Sequence, residues 1–303
     1  MIHRFKFLLA IFAFTVGLPA LQAQTIIKVA HDQPDRSTHH QAALKWKELV
    51  EARSGGKYQV RMYPAMMLGS GTQMVEQTQA GALEVSILPT GWIAPLAPSV
   101  QVLDLPFLFP SREVAYRVID GPVGREILSP LSKVNIEGVT FWESGFKQFT
   151  GNFPIREPKD YSGKKIRTMP APVIQEQFKA FGSSPVAIDF KELYSALQQR
   201  VVDGQENPIS TISLMKFYEV QKHITLSDHG FLAYVFMFNK QWLDAQPSEM
   251  RKILVDSARE AGRFQREIIA KSEAEHLEMF KKSGNEIIRL STEQRRSFEQ
   301  ASR

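Results

Sequence analysis

A single arginine set among apolar neighbours, Arg167 in the run KKIRTMP, is the residue in this chain whose chemistry is easiest to name. Its guanidinium keeps its charge and presents a planar fork of donors that matches a carboxylate. Asn207, in the run GQENP, brings an amide that can both donate and accept. Lys147, between Phe146 and Phe149, brings a second cation on a flexible stem. These residue types suit the holding of an anion, although an arginine so placed can equally pair with an Asp or Glu for structure. Patterns that convert a substrate are missing: the chain has no G-x-S-x-G, no H-E-x-x-H and no G-x-x-x-x-G-K-[ST]. Gly69-Ser70-Gly71-Thr72 lacks the lysine of a phosphate loop and reads as a turn. His31, Asp32, Asp35, His39 and His40 form the one group resembling metal ligands, but they cross a loop without regular spacing, so no metal and no cofactor is expected. Trp92, Phe146, Phe149 and Phe190 read as core aromatics by type, yet each lies beside a strand end.

Two stretches of alternating strand and helix must position these side chains. In residues 161–208, the run 164–169 reads as a strand with Ile166 and Thr168 on one face and Arg167 and Met169 on the other. Ile174, Phe178 and Phe181 recur at helical spacing up to Gly182, and Ser184 to Ile188 is a second strand. Asp189 with Glu192 three places on has the form of a capping box for a helix running toward Arg200. Asp203-Gly204 turns the chain into a third strand that carries Asn207 and stops at Pro208. The order β-α-β-α-β builds a parallel sheet, and such sheets bind ligands beyond the strands' carboxyl ends, where Arg167 and Asn207 both fall.

The same order occurs earlier. Residues 25–31 (TIIKVAH) form a nearly continuous apolar strand, a helical stripe through Trp46 and Val50 ends at Ser54-Gly55-Gly56, and Tyr58, Val60 and Met62 alternate as a second strand. A helix over 72–80 stops at Gly81, and 83–88 is a third strand. Beyond its strand ends lie His31-Asp32 and Thr90-Gly91-Trp92, so two facing lobes would bring four points to one cleft. Residues 102–111 read as a buried connection with Ser111 capping the helix after it, and 231–239 as a central strand. The spacing of Met250, Leu254, Ala258, Ala261, Phe264, Ile268 and Ile269 predicts a long helix over 248–282 that braces both lobes.

The 303 residues are enough for two ordinary domains, and 43% hydrophobic with 23% charged is a globular balance. A basic start (Arg4, Lys6), an apolar run over 7–16 and Ala23 before Gln24 have the form of a signal peptide, residues 1–23, which places the mature protein in the periplasm. Removing it takes the formal charge from +5 to +3. That surplus is slight and is spread among acidic residues, so nucleic acid is not an expected partner. Export without any cysteine means the fold rests on its core and not on disulfides, and it excludes a cysteine nucleophile.

Several of these runs carry a resemblance. GFKQFTGN, then PKDYSGKKIR, then DFKELYSALQQRVVDGQENP, with the early MLGSG and the later DLPFLF, resemble the periplasmic solute-binding proteins of TRAP (tripartite ATP-independent periplasmic) transporters. The likeness spans essentially the mature chain. It implies a two-lobed α/β fold of the periplasmic binding protein kind, with a ligand cleft between discontinuous lobes and a long helix shared by both. Here the lobes would be 24–145 with about 233–272, and 146–232 with about 273–303. It also implies capture of an organic acid, such as a C4-dicarboxylate, and its delivery to membrane permease subunits, and no enzyme activity. On the same ground Arg167 falls on the arginine that pairs with the ligand carboxylate, Asn207 on the asparagine that helps hold it, and Phe190 near a packing aromatic. Lys147 stands where many members have arginine; it keeps the cation but not the fork. Glu76, Trp92 and the strand-end His31 complete the expected ligand-binding set from the first lobe. The alternative from the residues alone is an exported hydrolase acting on an acidic or sugar substrate, which turnover of the ligand would reveal.

Overall fold

The computed structural model describes residues 24–303, so the expected leader lies outside the described residues. Strand β1 (Thr25–His31) is buried from Ile27 onward except at Lys28, as its apolar run requires, and it pairs in parallel with β2 (Tyr58–Tyr63) and β3 (Val85–Pro89). In the second half β5 (Lys165–Thr168) takes the same central place between β6 (Ser184–Ala187) and β7 (Gly204–Pro208), again in parallel. Each half is thus a small parallel sheet whose first strand lies in the middle.

Two long strands join the halves. β4 (Ile136–Gly151) and β8 (His223–Asn239) pair antiparallel along most of their lengths, giving the order β2-β1-β3-β8-β4-β7-β5-β6, with β9 (Glu286–Arg289) added on β8. The pairing of β4 with β8 shifts register at three places, between Gly138 and Thr140, Glu143 and Gly145, and Lys147 and Phe149. The expected strand over 231–239 is the second half of β8, whose first half the sequence pattern did not reveal, because Ser227 to Gly230 breaks the apolar run.

The long helix runs Ser248–Lys282, as its spacing predicts. Trp46 Nε1 donates to its Leu254 carbonyl and Trp142 Nε1 to its Ala258 carbonyl, each at 3.1 Å, which fixes its first half on the β1 side. Farther along it packs on the helix Ile209–Leu214 that follows β7, and Arg112 Nη1 donates to Glu273 Oε2 at 3.0 Å. It therefore touches both halves. Two local expectations change. Asp189 accepts from the Lys191 amide in a 3-10 turn before the helix Leu193–Gln198, so Glu192 closes no capping box. Residues 102–111 are not uniformly buried: Val102, Leu105 and Leu108 are 40–45% exposed, because this stretch folds as a surface 3-10 segment, although Ser111 does cap the next helix by accepting from Val114 N.

Candidate functional site

Alternation along β5 sends Arg167 and Met169 to one face and Ile166 into the core. Arg167 is 3% exposed, yet no protein carboxylate pairs with it among the described residues. Its Nε donates to the Ile188 carbonyl at 2.9 Å and its Nη2 has no partner. The guanidinium carbon stands 5.7 Å from the Trp92 ring and 5.9 Å from the Phe190 ring, so the two expected wall residues flank it. Burial lowers its pKa to about 10, against the pull of Glu206, Asp189 and Asp32, so it stays protonated at neutral pH.

The first half closes over this arginine. Gly91 opens the short helix Thr90–Ile93 so tightly against Met169 that a Cβ there would lie 2.7 Å from Met169 Cε. Gln101 Oε1 accepts from the Val173 amide at 3.2 Å, tying the halves at a second point. From the end of β1, Asp32 accepts from the Tyr234 hydroxyl at 3.4 Å, and Gln33 Nε2 donates to that hydroxyl at 2.7 Å. Burial raises the Asp32 pKa to about 7 despite these hydrogen bonds and nearby Arg167, and its Oδ1 has no partner.

Asn207 is buried on β7, where its Nδ2 donates to Gln205 Oε1. Gln205 Nε2 donates in turn to Thr150 Oγ1 at 2.8 Å. Register places Gln205 beside Arg167 across β5 and β7, and alternation puts Asn207 on that same face. Lys147 does not join them. It pairs with Pro208 in register while Gln148 pairs with Asn207, so its side chain leaves by the opposite face, where Nζ donates to Glu206 Oε1 at 2.7 Å. Glu206 Oε2 also meets His229 Nε2 at 2.6 Å. Burial alone would raise the Glu206 carboxyl, but Lys147 and His229 hold it at about 2. The expected second ligand cation is therefore one member of a buried ion pair.

Two other expected residues also fall elsewhere. His31 is fully buried, its Nε2 sits 3.0 Å from His40 Nδ1, and burial lowers its pKa to about 3, so it is a neutral packing group. The next residue, Asp32, takes the place near Arg167 because strand parity turns it the other way. Glu76 lies on the exposed face of the helix Gly71–Ala80, beside Gln73 and Ala80 and not with Arg167. Sequence reading missed Asp104, buried with neither oxygen partnered and raised by burial to about 6 in spite of Lys147. Thr90, close enough to lower that pKa, is also buried with its hydroxyl unpartnered. A buried Asp between apolar residues in QVLDLPF was the available signal. No group of three or more His, Cys, Asp or Glu able to hold a metal occurs among the described residues.

Comparison with known proteins agrees with this architecture. Residues 29–303 match the family model for bacterial extracellular solute-binding protein, family 7 (DctP). The C4-dicarboxylate-binding periplasmic protein DctP of Rhodobacter capsulatus is 33% identical over 290 residues, which cover 95% of this chain and 87% of that protein. Among solved structures, a TRAP periplasmic solute-binding protein from Desulfovibrio salexigens with bound orotic acid is 32% identical and superposes with a TM-score of 0.90, covering 92% of this chain and 90% of that one. The sugar acid binding protein DctPAm from Advenella mimigardefordensis, in complex with galactonate, is 33% identical with a TM-score of 0.89 and the same coverage. This chain belongs to the bacterial extracellular solute-binding protein family 7, the two-lobed solute-binding proteins of TRAP transporters.

Proposed function

We propose that this solute-binding protein captures an organic acid in the periplasm by placing the acid's carboxylate on Arg167, with Trp92 and Phe190 as walls, and hands it to the permease subunits of a TRAP transporter. One observation carries the reading: a guanidinium buried at 3% exposure that forms no ion pair with a carboxylate of the described residues and whose Nη2 has no partner. A buried cation left without an anion is costly, and a ligand carboxylate supplies one. Asn207 keeps a second amide hydrogen beyond the one given to Gln205, and it supports the same carboxylate. Relatives that bind a C4-dicarboxylate, orotic acid or galactonate all take carboxylates. The hydrolase alternative has no support in the family.

Closure of the lobes follows from the same geometry. We place the hinge where β4 shifts register on β8 between Glu143 and Gly145, near the expected lobe boundaries at 145 and 233. Gly145 holds φ at 101° there, a conformation open to glycine and strained for other residues. In isothermal calorimetry with the acid that co-purifies, Arg167→Ala weakens binding by about 2–5 kcal/mol, because the ligand carboxylate is left buried without its partner. An unchanged affinity overturns the assignment.

A further inference from the structure

A cavity of about 380 Å³ lies between the long helix, the short helix Pro122–Leu128 and the early residues of β4, and Arg167 and the residues that flank it have no part in its lining. Its volume falls in the range of small-molecule sites, roughly 300–1,000 Å³. The lining carries four arginines, Arg125, Arg259, Arg263 and Arg266, against one carboxylate, Asp120, a formal surplus of +3. Arg259, Arg263 and Arg266 follow one another at four and three residues on the long helix, so they share a face, where like charges repel. The acids within reach are already engaged. Asp120 accepts from Arg266 Nη1 at 2.6 Å and from Nη2 at 2.9 Å. Asp256 stands 3.4 Å from Arg259 and also accepts from Lys252. Arg125 and Arg263 form no ion pair among the described residues, and Arg266 Nε is buried without a partner.

We infer that this cavity is a second ligand site, separate from the one around Arg167, for a small soluble oxyanion of the diphosphate kind, with a charge that matches the surplus of the lining. Guanidinium forks suit the oxygens of such an anion, and those of Arg125 and Arg263 are free to take them in pairs. Arg266 is held in place beforehand: its guanidinium carbon stands 4.2 Å from the Tyr116 ring, and its Nη2 also donates to the Phe141 carbonyl at 3.3 Å. A fixed charge costs the ligand little ordering on arrival. Leu128, Val139 and Phe141 complete the wall, and a charge set against an apolar wall attracts an anion more strongly than one in open water. An ordinary solvated face of a helix has no such enclosure. A lone carboxylate or a sulfate would leave part of the surplus unmatched, so it binds more weakly than a diphosphate. Nothing in this inference depends on what occupies the space around Arg167.

The test is calorimetry on the purified protein with inorganic pyrophosphate, which carries no carboxylate, and with sulfate, both at one constant ionic strength because exposed charges are screened by salt. The expected result is saturable binding of one pyrophosphate per chain, at least fivefold tighter than sulfate. Arg125→Gln and Arg263→Gln, at exposed positions without ion pairs, each weaken pyrophosphate at least fivefold and together at least tenfold, while circular dichroism stays unchanged. Arg167→Ala leaves pyrophosphate affinity within twofold. Absence of saturable binding overturns the inference, as does equal binding of sulfate or an affinity that the double variant Arg125→Gln/Arg263→Gln does not move. Loss of pyrophosphate binding in Arg167→Ala also overturns it, because the anion would then occupy the interlobe site. Vesicles containing phosphatidylglycerol separate the two sources of phosphate. If the protein sediments with them and free pyrophosphate does not bind, the cavity serves a lipid headgroup and the soluble-ligand assignment falls.

Discussion

Lys147 separates what residue type suggests from what burial allows. At 1% exposure a lysine needs an anion beside it, and Glu206 supplies one at 2.7 Å. The fit is close: a Cβ on Gly230 would come within 2.6 Å of Lys147 Cε. Replacing Lys147 with Met keeps the volume but leaves Glu206 buried without its cation. Urea unfolding of Lys147→Met should show a loss of about 3–5 kcal/mol, much of which Glu206→Gln restores in the double variant. Full stability with abolished ligand binding would instead make Lys147 a ligand contact. Arg167 was legible in the sequence because a charge in an apolar strand needs a reason. The pairing of Lys147 with Glu206 was not legible, because it depends on the register of β4 on β7, which no local pattern records. Asp32 was read from the sequence only as part of the strand end that should reach the cleft, and the burial of Asp104 was not legible, since an aspartate before a proline-broken turn looks like ordinary loop chemistry until distant elements close over it.

Among the elements, the short helix Thr90–Ile93 decides how closely the halves approach. A Cβ at Gly91 would meet three atoms of Met169, including the Met169 Cβ at 3.0 Å, so the first side-chain carbon at position 91 must push the halves apart or displace Met169. Gly91→Ala should weaken ligand affinity by about 1–3 kcal/mol, the usual cost of overpacking a tight contact, and Met169→Ala in the same chain should recover part of it. Calorimetry on the two single variants and the double variant measures this; equal affinities throughout would place the contact outside the closing motion. Elements held by one uniform pattern were the most legible: β1 and the long helix keep the bounds their spacing predicts. β8 was read only in its second half, because Ser227 to Gly230 breaks the apolar run before it. β9, four residues on the edge of β8, carried no pattern long enough to see.

For the whole molecule, the connection between the lobes is itself ordered structure. β4 and β8, with 16 and 17 residues, each extend about 50 Å at the rise of a strand, and the long helix of 35 residues extends about 50 Å at the rise of a helix. All three lie in both halves, so neither half keeps a complete sheet when the other unfolds. Scanning calorimetry should therefore give one transition, with equal calorimetric and van't Hoff enthalpies, and ligand should raise that single Tm. Two resolved transitions would show that the halves melt separately. Sharing strands in this way also limits how such a protein can change in evolution. Because β4 and β8 contribute to the packing of both lobes, a lobe borrowed from another member would arrive with the wrong halves of two strands. New ligand preferences must then arise by exchanging side chains in place, and not by recombining lobes as interchangeable modules.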